Sequence, residues 1–118
     1  MADAGLFVGW GEVARGREKE AVELFNEILE YYGRLQEEGT IESFEPVFLE
    51  PHGGDLGGFL LIRGEAEKLA SLRVSEEFGR YSIRATLVVD SYGVVGADLA
   101  GRLQSQMAFY TEQIGAIA

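Results

Sequence analysis

Two neighbouring stretches, residues 41–50 and 57–64, carry apolar side chains on both faces of an extended chain, and this feature most narrows what the chain can fold into. In the first, Phe44 and Phe48 point one way while Ile41, Val47 and Leu49 point the other; in the second, Phe59 and Leu61 oppose Leu60 and Ile62. Successive side chains of a strand alternate between faces, so a sheet built from these strands is apolar on both sides. One layer of helices covers one side only. A bare second side would exceed the few hundred Å2 of contiguous apolar surface that a soluble monomer usually exposes. A second copy of the chain and the chain's own C-terminal segment are the two available covers, and a homodimer with crossing tails satisfies both.

The flanking segments supply the remaining elements. Residues 6–12 read as a first strand, with Leu6, Val8 and Trp10 on one face and Phe7, Gly9 and Gly11 on the other. From 16 to 39 the period becomes helical: Ala21, Leu24, Phe25, Ile28, Tyr32 and Leu35 share one stripe, and glutamates fill the solvent side. Glu30 and Arg34 form an i,i+4 pair, and Gly39 suits a left-handed helix stop. Pro46 cannot donate to a ladder, which places its strand at an edge or a bulge. Pro51-His52-Gly53-Gly54-Asp55-Leu56 reads as a hairpin loop. Residues 65–78 are predicted to be a shorter helix, with Ser75 capping a last turn through Phe78. Residues 83–92 are predicted to be the fourth strand, with Ile83, Ala85, Leu87 and Val89 alternating against Arg84, Thr86, Val88 and Asp90, and Val94-Val95 as a short extension. Helical spacing returns over 97–114 through Leu99, Leu103, Met107, Tyr110 and Ile114. Strand, helix, strand, strand, helix, strand and a final helix make the split βαβ arrangement: a four-stranded antiparallel sheet with both inner helices on one side.

With this order in place, the chain resembles the dimeric α+β barrel superfamily, whose ferredoxin-like subunits pair sheet to sheet. The residues that carry the resemblance are Gly16-Arg17-Glu18 opening a long helix that ends at Glu38-Gly39-Thr40-Ile41, the hairpin segments Glu45-Pro46-Val47 and Gly57-Gly58-Phe59-Leu60, and Leu72-Arg73-Val74-Ser75-Glu76-Glu77-Phe78. The likeness covers residues 5 to about 95 and implies a ferredoxin-like α+β sandwich, one domain over 1–118, assembling as a homodimer or higher. Members include cofactor-free monooxygenases, dehalogenating, isomerising and haem-degrading enzymes, and proteins without an assigned activity, so the resemblance implies a fold and an assembly and leaves the reaction open.

Composition excludes several classes of function. The 118 residues contain no cysteine, which removes disulfides, thiolate catalysis, zinc ribbons and iron–sulfur ligation. Ten Lys and Arg against twenty Asp and Glu give a formal charge of −10, which opposes nucleic-acid phosphates and anionic lipid surfaces. The longest strongly apolar run, residues 59–62, is far short of the roughly 20 residues of a membrane helix. With no basic and apolar leader at the start, a cytoplasmic location is expected.

Gly9-Trp10-Gly11-Glu12-Val13-Ala14 matches the glycine pattern of dinucleotide sites, but the next strand enters a hairpin instead of a parallel crossover, and Glu12, Glu18 and Glu20 oppose a pyrophosphate. Strand glycines are the better reading. His52 is the candidate proton-transfer group, since its ordinary pKa lies near neutrality, and Asp55 is the candidate for orienting its ring. The competing reading is an exposed hairpin tip. A metal site assembled from His52, Asp55 and Glu50 would be oxygen-rich and weakly selective, and no metal-ligand spacing is present, so no metal is expected; no cofactor is expected either. Trp10, Phe59 and Arg84 are the candidate pocket residues: aromatic walls for a small-molecule ligand and a cation for a carboxylate, against core packing and a surface ion pair as the alternatives. Two functions of different class remain: a small enzyme without a tightly bound cofactor acting on a small apolar or aromatic molecule, and a non-catalytic ligand-binding or structural module.

Overall fold

The computed structural model describes residues 3–117. In chain order it contains β1 (Ala4–Trp10), α1 (Glu18–Glu38), β2 (Ser43–Phe48), β3 (Gly58–Gly64), α2 (Ala66–Arg73), α3 (Glu76–Val88), β4 (Gly93–Asp98) and α4 (Ala100–Ile117). The strands form one antiparallel sheet in the order β2-β3-β1-β4. β2, the strand that holds Pro46, lies at its edge, where a missing donor need not interrupt a ladder.

Strand register sorts the side chains into two layers. Val8 lies opposite Leu60 and Leu6 opposite Ile62, which in turn lies opposite Phe44; these residues face the helices. Phe7 lies between Leu61 and Val95, and Leu61 faces Glu45 on its other side; these residues form the far face. The helix-side core joins Leu6, Val8, Leu60 and Ile62 to Tyr31, Tyr32 and Leu35 of α1, Leu69 and Leu72 of α2, and Phe78 of α3. Ile41, expected on the far face of an extended β2, lies before that strand and is buried in this core.

α1 ends as its sequence predicts. Gly39 adopts φ 80°, its N–H donates to the Gln36 carbonyl, and Thr40 donates back to Leu35 at 2.9 Å. The Glu30–Arg34 pair gives way to a tertiary one: Arg34 donates two hydrogen bonds of 2.8 Å to the Glu77 carboxylate on α3. Seven residues earlier on α1, Glu27 accepts two bonds from Arg84, at 3.0 and 2.7 Å. Between these two clamps Tyr31 packs on Tyr81, with ring centroids 4.7 Å apart. Both clamps are about half exposed, so each adds little stability; their bidentate geometry fixes the antiparallel register of α1 against α3.

The second half of the chain departs most from expectation. Ser75 does not cap a last turn of α2 but starts α3, with its Oγ accepting from the Phe78 N–H at 3.4 Å. Residues 83–88 therefore belong to a helix, and the fourth strand lies at Gly93–Asp98. The apparent alternation of Ile83 and Leu87 is a solvent-side coincidence, for they are 65% and 66% exposed. The face that packs is Phe78, Ala85 and Val88, with Tyr81 half-buried beside them, at helical spacing.

α4 stands apart from this body. None of its residues is buried, and Leu103, Met107, Tyr110, Ile114 and Ile117 project along one stripe at spacings of four, three, four and three. The helix starts on the far side of the sheet, where the Leu99 side chain lies over Gly5. The radius of gyration, 16.2 Å, exceeds the about 13.5 Å expected of a compact chain of this length.

Candidate functional site

A cavity of about 310 Å3 lies between the helix-side face of the sheet and the pair α1 and α3. It is almost wholly apolar. Val8 and Leu60 form its floor, Leu24 and Ile28 of α1 one wall, and Ala85 and Val88 of α3 the other. At one end three aromatic rings gather: Trp10 meets Phe25 at 6.2 Å and Phe48 at 6.1 Å, and Phe25 and Phe48 are 4.9 Å apart. Phe48, at the edge of the sheet, is largely exposed and borders the opening.

Trp10 reaches this position because Gly58 lies beneath it. A Cβ at Gly58 would fall 2.7 Å from the indole Cζ2 and 2.8 Å from the Val47 carbonyl oxygen. Gly58→Ala is therefore expected to destabilise the fold by about 1–3 kcal/mol through overpacking. It is also expected to move the emission of the single tryptophan to longer wavelength as the ring is displaced; unchanged emission and stability would show that the seat is not tight.

Polar groups enter the cavity lining through hydroxyls. Ser82 Oγ and Tyr92 Oη are 3.0 Å apart and bonded to each other. The Tyr32 hydroxyl has no hydrogen-bond partner among the described residues, although the residue is only 4% exposed. No unpartnered side-chain oxygen or nitrogen there is fully sealed, so this hydroxyl meets open space, and the space that Tyr32 lines is the cavity. Burial raises the pKa of Tyr32 strongly, with Tyr92 and Tyr31 adding to the shift, and burial raises Tyr92 against the opposing bond from Ser82. Both phenols remain protonated at neutral pH and available as donors.

The sequence-derived candidates fall in three places. Trp10 lines the cavity. Phe59 lies on the opposite face of the sheet, stacked on Phe7 at 5.1 Å, and Arg84 is engaged by Glu27 on the outer side of the two helices, with its guanidinium 5.8 Å from the Tyr81 ring centroid. His52 and Asp55 sit in the exposed β2–β3 loop and are not among the cavity-lining residues. The His52 ring bonds within its own loop: Gly54 N–H donates to Nδ1 at 3.2 Å, and Nε2 lies 2.8 Å from the Leu56 carbonyl. Neither of these contacts involves Asp55. His52→Ala is expected to change stability by less than about 1 kcal/mol, because the loop is solvated; a larger loss in thermal unfolding would give the ring a wider structural role.

Sequence reading passed over Tyr32 as a packing residue and did not single out Ser82. The available signal was a phenol and a hydroxyl placed on the inward stripes of α1 and α3, where aliphatic residues satisfy packing equally well. Among the described residues no group of three His, Asp or Glu side chains is placed to hold a metal ion, and no helix is long and apolar enough to cross a membrane. A wider surface depression near Glu38, Lys68 and Glu77 is open and polar, without the enclosure that holds a small molecule.

Sheet order, the two inner helices on one side and the cavity between the layers define a ferredoxin-like α+β protein. Comparison with solved structures agrees. The chain is similar to a dimeric protein of unknown function and ferredoxin-like fold from Bacteroides fragilis NCTC 9343, with a TM-score of 0.58 and 11% identity over 81% of this chain and 96% of that one. No family model matches the chain, and no curated protein does either.

Proposed function

We propose that this chain is a self-associating subunit that binds a small, neutral, mainly apolar or aromatic molecule in the cavity between sheet and helices. The observation that carries the reading is the cavity itself: about 310 Å3, within the range of small-molecule sites, walled by aliphatic and aromatic side chains with a few convergent hydroxyls. A close-packed interior would have pointed to a purely structural module. Binding stands ahead of proton-transfer catalysis because, among the described residues, tyrosines are the only titrating side chains that line the space, and burial keeps Tyr32 and Tyr92 protonated. A role for His52 and Asp55 in catalysis would need the β2–β3 loop to bring them to the ligand.

Self-association as a homodimer is supported by the two unpartnered apolar surfaces on the same side of the molecule. Phe7, Leu61 and Val95 make the far face apolar, and the apolar stripe of α4 leaves the body from that side, beginning where Leu99 covers Gly5. The similar protein from Bacteroides fragilis is described as dimeric. Two copies packed face to face, with α4 of each crossing the other, would bury both surfaces.

Titration with N-phenyl-1-naphthylamine, a neutral aromatic probe whose absorption overlaps tryptophan emission, tests the cavity. Saturable quenching of Trp10 at one probe per subunit is expected. Absence of saturable binding up to the probe's solubility would remove the binding reading.

A further inference from the structure

The Tyr32 hydroxyl at the cavity restricts the ligand further, given the binding reading above. We infer that the ligand carries a neutral carbonyl-type oxygen, and that Tyr32 is the residue that donates a hydrogen bond to it.

Three observations carry this. Tyr32 is 4% exposed and lines the cavity, and its hydroxyl, for which no hydrogen bond is found among the described residues, is not fully sealed and so opens onto that space. An occupant that supplies an acceptor at this point gains a hydrogen bond there. Of the neighbouring hydroxyls, those of Ser82 and Tyr92 bond each other at 3.0 Å. The protonation state fits as well: a phenol held protonated by burial offers a donor over the whole neutral range.

Charge decides between acceptor types. A carboxylate or phosphate entering the cavity would meet no cation, for no Lys or Arg among the described residues lines it, and the chain carries a formal −10. Burying an unpaired anion is far more costly than burying a carbonyl. The geometry therefore selects ketones, aldehydes, esters or amides on an apolar frame, and the aromatic end built from Trp10, Phe25 and Phe48 favours a ring on that frame.

A comparison of two ligands in two proteins isolates the bond. Acetophenone and isopropylbenzene have nearly the same shape and differ in one carbonyl oxygen. Each is used to displace N-phenyl-1-naphthylamine from the wild-type chain and from Tyr32→Phe. The substitution is expected to weaken acetophenone by about five- to tenfold, the worth of one hydrogen bond, while isopropylbenzene and the naphthylamine probe change less than about twofold. Equal effects on both ligands, or no effect on either, would overturn the role of Tyr32 and leave the binding reading intact. Failure of the naphthylamine probe to bind the wild type would remove both. Tyr32→Phe deletes only an unpartnered oxygen, so its thermal unfolding should match or exceed that of the wild type. Should that variant fail to fold, the carbonyl stretch of acetophenone bound to the wild type is read instead: a shift to lower frequency than in an apolar solvent is expected, and an unshifted band counts against the inference.

Discussion

Ile62→Ala is expected to lower the free energy of unfolding by about 2–5 kcal/mol, a large part of the about 5–15 kcal/mol that holds an ordinary domain together. Ile62 is 0% exposed and sits on β3, one of the two inner strands. It lies opposite Leu6 on one side and Phe44 on the other, in the same core as Leu35 and Leu69. Truncation removes three carbons from a site whose neighbours are tied to two strands and two helices, so the gap cannot close by local collapse. Urea unfolding read by circular dichroism reports the effect as a lower midpoint at unchanged slope. A shift of less than about 1 kcal/mol would mean that this layer is not the principal core.

Leu61→Lys, one position away, is expected to do the reverse: spare the subunit and break the assembly. The Leu61 side chain points to the far face, between Phe7 and Glu45. A lysine there has Glu45 directly across the edge strand, a favourable cross-strand pair, so the isolated subunit should keep its stability within about 0.5–1 kcal/mol. In a face-to-face pair the same ammonium would enter the patch of Phe7, Leu61 and Val95 twice, once from each copy, losing apolar contact and water and bringing two like charges together, which costs several kcal/mol. The self-association constant should fall by at least about 100-fold. Analytical ultracentrifugation over a range of concentrations measures this directly. A folded variant that still sediments as the wild type does would relocate the contact, with the exposed stripe of α4 as the next place to look.

The contrast between these neighbours was legible before any coordinates. Alternation is a local property of an extended chain, and the apolar residues of β3 on both faces stated the problem of two covers. The long stripe of α1 and its stop at Gly39 were legible for the same reason, since each depends on contacts within a few residues. The α3 region was not. Ile83, Ala85, Leu87 and Val89 alternate as a strand would, and β-branched residues reinforce that pattern; only the helical series from Phe78 through Tyr81, Ala85 and Val88, started by Ser75, tells the other story. Two periods coexist in that stretch, and packing against α1 selects one, by burying Ala85 and Val88 with Leu24.

The candidate site divides along the same line. Trp10 was readable as an inward aromatic on a strand, and its neighbour Gly58 completes the seat across the ladder. Phe59 and Arg84 carry the right chemistry for a pocket, but strand parity sends Phe59 to the far face and the helical register of α3 sends Arg84 to Glu27. Tyr32 and Ser82 reach the cavity only because α1 and α3 are held apart at a particular register. By itself, then, the sequence determined the class of fold, the two apolar sheet faces and the absence of thiol chemistry, since these follow from spacing and residue type. Tertiary structure alone decided which hydroxyls face the cavity and which of them bond each other, because that depends on distances between segments some fifty residues apart, and no local pattern encodes those.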